Sequence, residues 1–86
     1  MKKGTIVVGG PVGLHARPAA EFVRIAERFR SDVRLTKDGM KVNAKSILAL
    51  LTLAAESGCE VVLEVSGLDE AEAFEQLKHK LENSET

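Results

Sequence analysis

Apolar and polar residues alternate along this chain in short runs, each closed by glycine, serine or proline. Thr5-Ile6-Val7-Val8 is rich in β-branched residues and halts at Gly9-Gly10, as a short strand would. Past the turn formers Gly9-Gly10-Pro11-Val12-Gly13, Ala19, Phe22, Val23, Ala26 and Phe29 recur at the spacing of one buried helical face. Glu21, Arg24, Glu27 and Arg28 fall largely opposite, which predicts a helix from about Ala16 to Phe29. It opens between Ala16 and Pro18, where a proline is tolerated because first-turn amides have no intrahelical partner to lose. Asp32 to Thr36 alternates polar and apolar, the period of a half-wet strand. Asp38-Gly39 signals a tight hairpin, and Met40-Lys41-Val42-Asn43 resumes the alternation.

Lys45 to Ala55 is nearly all apolar after Ser46, with Ala and Leu dominant, so a helix is predicted, capped by Ser46 and closed by Ser57-Gly58. Glu60 to Val65 reads as a strand with Val61, Leu63 and Val65 on its core face. Asp69 and Glu72 have the spacing of a capping box for a last helix. Its stripe is predicted to be Ala71, Phe74, Leu77 and Leu81, and Asn83 to Thr86 is expected to fray. The order β-α-β-β-α-β-α with alternating strands implies an α+β fold: one sheet, one solvated face, and all three helices on the other. No repeat or linker interrupts it, so residues 1–86 are expected to form a single domain. A helix that is apolar all round, in so small a fold, must expose part of itself. Leu50 and Leu53 are expected in the core, and Ile47, Leu48 and Leu51 in an exposed patch.

Composition narrows the functions. The net charge of −1 provides no global basic field for nucleic acid or acidic membrane. Trp and Tyr are absent and Phe numbers three, too few for base-stacking platforms. Cys59 stands alone, excluding an internal disulfide and any Cys-x-x-Cys metal or redox motif. Met1-Lys2-Lys3 is basic, but the apolar core after it is too short for a signal peptide, and nothing approaches a membrane span. A cytoplasmic monomer is expected, with no cofactor or metal. His79, between Lys78 and Lys80, is read as a surface residue.

Candidate chemistry concentrates at Gly13-Leu14-His15-Ala16-Arg17-Pro18-Ala19-Ala20. A helix start presents free N–H groups, here those of Ala16 and Arg17, and the positive end of the macrodipole. Arg17 adds a cationic fork suited to phosphate oxygens. Neutral imidazole at His15 has a lone pair able to attack phosphorus. On spacing alone a second reading stands beside this one: a polar capping histidine and a solvated arginine.

The octet resembles the active-site segment of HPr, the histidine-containing phosphocarrier of the bacterial phosphoenolpyruvate-dependent sugar phosphotransferase system. The resemblance runs from about Lys3 to Leu81 and includes Lys45-Ser46-Ile47. It implies a four-stranded antiparallel open-faced β-sandwich in spatial order 1-4-2-3. It also implies that His15 accepts a phosphoryl group on Nδ1 from phosphorylated enzyme I and passes it to enzyme IIA components, with Arg17 stabilising the phosphate. The first two helices would dock partners, with Ile47, Leu48 and Leu51 as apolar contacts and Arg17, Arg24 and Arg28 as a basic rim.

Ser46 has an ordinary role as an N-cap worth roughly 1 kcal/mol. In some HPr proteins the matching serine is phosphorylated by an ATP-dependent HPr kinase/phosphorylase, making a corepressor for a catabolite-control regulator; others carry a similar serine without that switch. The methionines and glycines often seen in the second helix of Gram-positive HPr are replaced here by Leu48, Ala49, Leu51 and Ala54, which opens the question of partner preference. Two relatives of different role stay in view: a nitrogen-branch HPr paralogue, and a regulatory HPr-like protein acting through partner binding, a kind that lacks the active histidine. A stand-alone hydrolase is not expected, because no Ser, Cys or carboxylate is placed to complete a catalytic set.

Overall fold

The computed structural model describes residues 1–10 and 13–83. Pro11 and Val12 of the predicted turn, and residues 84–86 of the expected fray, lie outside the described residues. Asn83, the first of that stretch, instead closes the last helix, its side-chain amide donating to the His79 carbonyl at 2.9 Å. The elements run β1 (Lys2–Val7), α1 (Ala16–Ala26), β2 (Asp32–Lys37), β3 (Met40–Asn43), α2 (Ile47–Leu53), β4 (Glu60–Ser66) and α3 (Glu70–Glu82). The strands form one antiparallel sheet in the order β1-β4-β2-β3. This is the α+β open-faced sandwich with the expected element order.

Register explains the single wet face. Ile6 pairs with Val61, Leu35 with Leu63 and Val33 with Val65, so all six side chains point into one layer. Their neighbours Lys41 and Glu64 bridge at 3.0 Å on the open face. Helix α3 covers β1 and β4, α2 covers β2 and β3, and α1 packs against both helices. Phe22, Leu50, Leu63 and Leu77 are fully enclosed between the layers.

The boundaries differ from the sequence expectations for local reasons. Strand β1 begins earlier, at Lys2, because its pairing with β4 runs out to Lys2–Val65. Helix α1 stops at Ala26 rather than Phe29, and Arg28 and Phe29 tighten into three-residue bonds to Ile25 and Ala26. Beyond it the Asp69 carboxylate captures the amides of Arg30 and Ser31 at 2.9 and 3.1 Å and the Ser31 hydroxyl at 2.6 Å. That carboxylate is therefore unavailable as a cap, and the predicted Asp69–Glu72 capping box does not form. Glu70 instead accepts from the Gly67 amide at 3.1 Å. The core stripe of α3 contains Ala73 in place of Ala71, which is exposed.

Ser46 does cap α2, its Oγ accepting from the Ala49 amide at 3.2 Å. The helix ends three residues before the predicted Ser57-Gly58 closure, at Ala54 in the left-handed conformation (φ 55°, ψ 50°). Lys37 Nζ reaches the Ala54 carbonyl at 3.0 Å, satisfying an acceptor that a helix end leaves open.

Candidate functional site

His15 is the N-cap of α1, with extended backbone (φ −95°, ψ −166°) and no side-chain cap bond. Its carbonyl receives the first intrahelical bond, from Ala19 N at 2.9 Å. Pro18 has no N–H, so the amides that open the helix are those of Ala16 and Arg17. Neither bonds a described residue, and no acidic side chain sits in the first turn to occupy the positive end. His15, Ala16 and Arg17 are all exposed. The first turn thus offers two amides that bond no described residue, next in sequence to an exposed histidine and beside an exposed arginine.

The loop carrying His15 is fixed from the far end of α2. The buried Leu14 donates from its amide to the Ala55 carbonyl at 2.8 Å, and Ser57 Oγ donates to the Gly10 carbonyl. Between these bonds Gly13 adopts φ +77°, and a Cβ there would stand 2.5 Å from Ser57 N and 2.6 Å from the Ala55 carbonyl oxygen. Only glycine fits so close a backbone crossing. The sequence marks Ala55 and Ser57 only as the end and closure of the second helix, and nothing local links them to a loop some forty positions earlier.

Arg17 and Arg24 project from the exposed face of α1, while Arg28 lies in the turn after it; all three are exposed. Ile47, Leu48 and Leu51 are 42%, 75% and 39% exposed, whereas Leu50 and Leu53 are buried, as anticipated. Ser46 is half-buried. Because α1 and α2 pack together, the helix opened by His15 and the helix opened by Ser46 share one side of the fold.

One turn into α1, Glu21 accepts from Lys80 Nζ of α3 at 2.5 Å. That hydrogen bond holds the Glu21 carboxyl below its ordinary range, with Arg17 and Arg24 adding to the effect. A surface groove of about 470 Å³ lined by Ile25, Glu75, Gln76, His79, Lys80 and Asn83 includes none of the residues assigned to phosphate. Among the described residues no cluster of His, Cys, Asp or Glu is arranged to hold a metal, and no helix is long and apolar enough to cross a membrane.

An exposed histidine opening a helix of an open-faced sandwich is an arrangement able to take up and hand on a phosphoryl group. The family model for the PTS HPr component phosphorylation site matches residues 2–83. The HPr-like protein Crh of Bacillus subtilis (strain 168) is 62% identical over 65 residues, 76% of each chain. Phosphocarrier protein HPr of Neisseria meningitidis (serogroup A, strain Z2491) is 44% identical over 77 residues, 90% of this chain and 86% of its own. The crystal structure of HPr from Thermoanaerobacter tengcongensis superposes with a TM-score of 0.91 at 45% identity, covering 95% of this chain and 92% of that one. The chain belongs to the HPr family, whose members are phosphocarriers of the phosphotransferase system rather than stand-alone catalysts, and its partners are of that system.

Proposed function

We propose that residues 1–86 act as one domain that carries a phosphoryl group on Nδ1 of His15, taken from phosphorylated enzyme I and given to enzyme IIA components of sugar permeases in the cytoplasm. The observation that carries this reading is the exposed His15 at the start of α1, beside the amides of Ala16 and Arg17, which bond no described residue. On uptake the Nδ1 lone pair forms the new N–P bond as the donor's N–P bond breaks and that electron pair returns to the donor nitrogen. On delivery the His15 Nδ1–P bond breaks, its electron pair returns to Nδ1, and the acceptor's lone pair forms the new bond to phosphorus. No net oxidation accompanies either step. The amides and Arg17 hold the phosphoryl oxygens, and exposure lets a partner approach in line.

Ile47, Leu48 and Leu51 with Arg17, Arg24 and Arg28 form the docking surface of this reading, apolar at the centre and basic at the rim. Ser46 is a candidate for regulatory phosphorylation by an HPr kinase/phosphorylase, producing a ligand for a catabolite-control regulator. The chain serves as a monomer.

A second reading, pure regulation through partner binding, is favoured by the 62% identity to the HPr-like protein Crh. His15 weighs against it as the only role. One experiment separates the two. The chain is incubated with phosphoenolpyruvate, magnesium and enzyme I, and its intact mass is followed. Acid-labile, alkali-stable phosphate on the parent and none on His15→Ala supports the carrier. No uptake by the parent overturns it and leaves the regulatory role, which a repeat with ATP and HPr kinase/phosphorylase examines at Ser46.

A further inference from the structure

We infer that Lys80 is a positioning residue for phosphoryl transfer: by holding Glu21 it keeps that carboxylate from neutralising Arg17. The inference rests on the carrier reading and extends it to a residue on a different helix. Glu21 lies four residues after Arg17 and three before Arg24 on α1, so all three belong to one side of the helix. An Arg–Glu pair at that spacing is within reach, although with the arginine first it is the weaker of the two orders, and a guanidinium so engaged has fewer donors left for a phosphoryl dianion.

The structure shows the alternative outcome. Glu21 Oε1 is taken by Lys80 Nζ across the α1–α3 interface at 2.5 Å, and Arg17 forms no ion pair among the described residues. The Lys80 side chain is 16% exposed and Glu21 38%, so the lysine approaches from the packed side of the interface and fixes the carboxylate. An interhelical lysine that is mostly enclosed is ordered by packing and gives up less freedom on pairing than a surface one.

The arrangement serves a relay. Glu21 stays on the same side of the helix as Arg17 and moderates the positive field without occupying the guanidinium; its carboxyl is held below its ordinary range first by the Lys80 hydrogen bond and less by Arg17 and Arg24. Loss of Lys80 frees the carboxylate to swing one turn back onto Arg17. Loss of Glu21 removes the competitor altogether.

The test is the equilibrium of phosphoryl exchange between enzyme I and the chain, read as the phosphorylated fraction by intact mass. Parent, Lys80→Met, Lys80→Arg, Glu21→Gln and the double variant are compared below their melting temperatures as measured by circular dichroism. Lys80→Met is expected to lower the exchange constant about two- to fivefold, the range of one exposed competing pair. Lys80→Arg retains the parent value. Glu21→Gln retains or raises it, and the double variant matches Glu21→Gln, so removing the carboxylate rescues the loss. A packing role for Lys80 predicts no such rescue, and a double variant as poor as Lys80→Met overturns the inference. So does a drop in Glu21→Gln alone, a measurement that holds even if Lys80→Met fails to fold. Absence of uptake by the parent would defeat the carrier reading itself and is a separate result.

Discussion

Ala54→Gly is expected to stabilise the protein: glycine weakens a helix interior but is the favoured residue at a left-handed helix end. Ala54 occupies φ 55° and ψ 50°, where the methyl crowds the following carbonyl at a cost of about 1–2 kcal/mol. Glycine carries no such penalty, but it widens the unfolded ensemble at a cost of about 0.4–1 kcal/mol. The difference favours the variant by about 0.5–1 kcal/mol. Little else changes, because Ala54 is exposed and its carbonyl remains free to accept from Lys37. In a domain of this size that gain raises Tm by about 2–8 °C. Urea unfolding is the assay: the midpoint should rise at constant m, since the surface exposed on unfolding is unaltered. Ala54→Val provides the opposite sign, because a β-branched side chain fits the left-handed region worse than alanine. A midpoint for Ala54→Gly at or below the parent's, with m unchanged, would refute the claim that this residue stores strain.

Asp69→Asn should lower the urea midpoint at pH 7, since an amide cannot accept from Arg30 N, Ser31 N and Ser31 Oγ without turning its own N–H toward one of them. Those bonds, the Ser31 hydroxyl foremost, hold the Asp69 carboxyl below its ordinary value of 3.8. A carboxylate with a depressed folded value contributes above its unfolded value and loses that contribution as pH falls through the folded one. The gap between parent and variant should therefore be full near neutrality and close below about pH 4; a gap constant to pH 2 would contradict this. Gly13→Ala should cost about 2–3 kcal/mol by thermal melting, from positive φ and backbone overlap together, and should slow phosphoryl uptake at His15. Leu48→Asp should leave Tm within about 2 °C, because Leu48 is 75% exposed, yet reduce kcat/KM of transfer from enzyme I roughly tenfold. An unchanged rate would remove Leu48 from the docking surface.

Local periodicity revealed much of this architecture because alternation and helical spacing each report a neighbour's face. Val61, Leu63 and Val65, and the division of α2 into buried Leu50 and Leu53 against exposed Ile47, Leu48 and Leu51, were legible for that reason. The strand order came instead through family resemblance. Asp69 shows where local reading stops. Its spacing to Glu72 fits a capping box, but its carboxylate binds Ser31, thirty-eight residues away, and no local pattern encodes that contact. The end of α2 misled for a related reason. Gly58 closes the segment in the sequence reading, and it does have positive φ, but Ala54 turns first, where Lys37 meets its carbonyl and the next carbonyl receives Leu14 N. At the site, His15, Arg17 and the open amides were legible from one octet. Glu21 was visible only as a residue of the wet face, since its partner Lys80 belongs to α3.

The stop of α2 and the start of α1 behave as one joint. Ala54 reverses the chain, the next carbonyl, at Ala55, receives Leu14 N, and Gly13 crosses the same backbone as far as Ser57. His15 follows directly, its amide donating to Gly13 O at 3.1 Å. The direction in which the first amides of α1 face is therefore set by a connection on the opposite side of the molecule in sequence. Relieving Ala54 deepens the well without moving the Ala55 carbonyl, so Ala54→Gly should leave the rate of phosphoryl uptake unchanged. Gly13→Ala displaces the crossing itself. A stability change with unaltered transfer in the first variant, and loss of both in the second, is the pattern this joint requires; equal effects on transfer would place the control of those amides elsewhere.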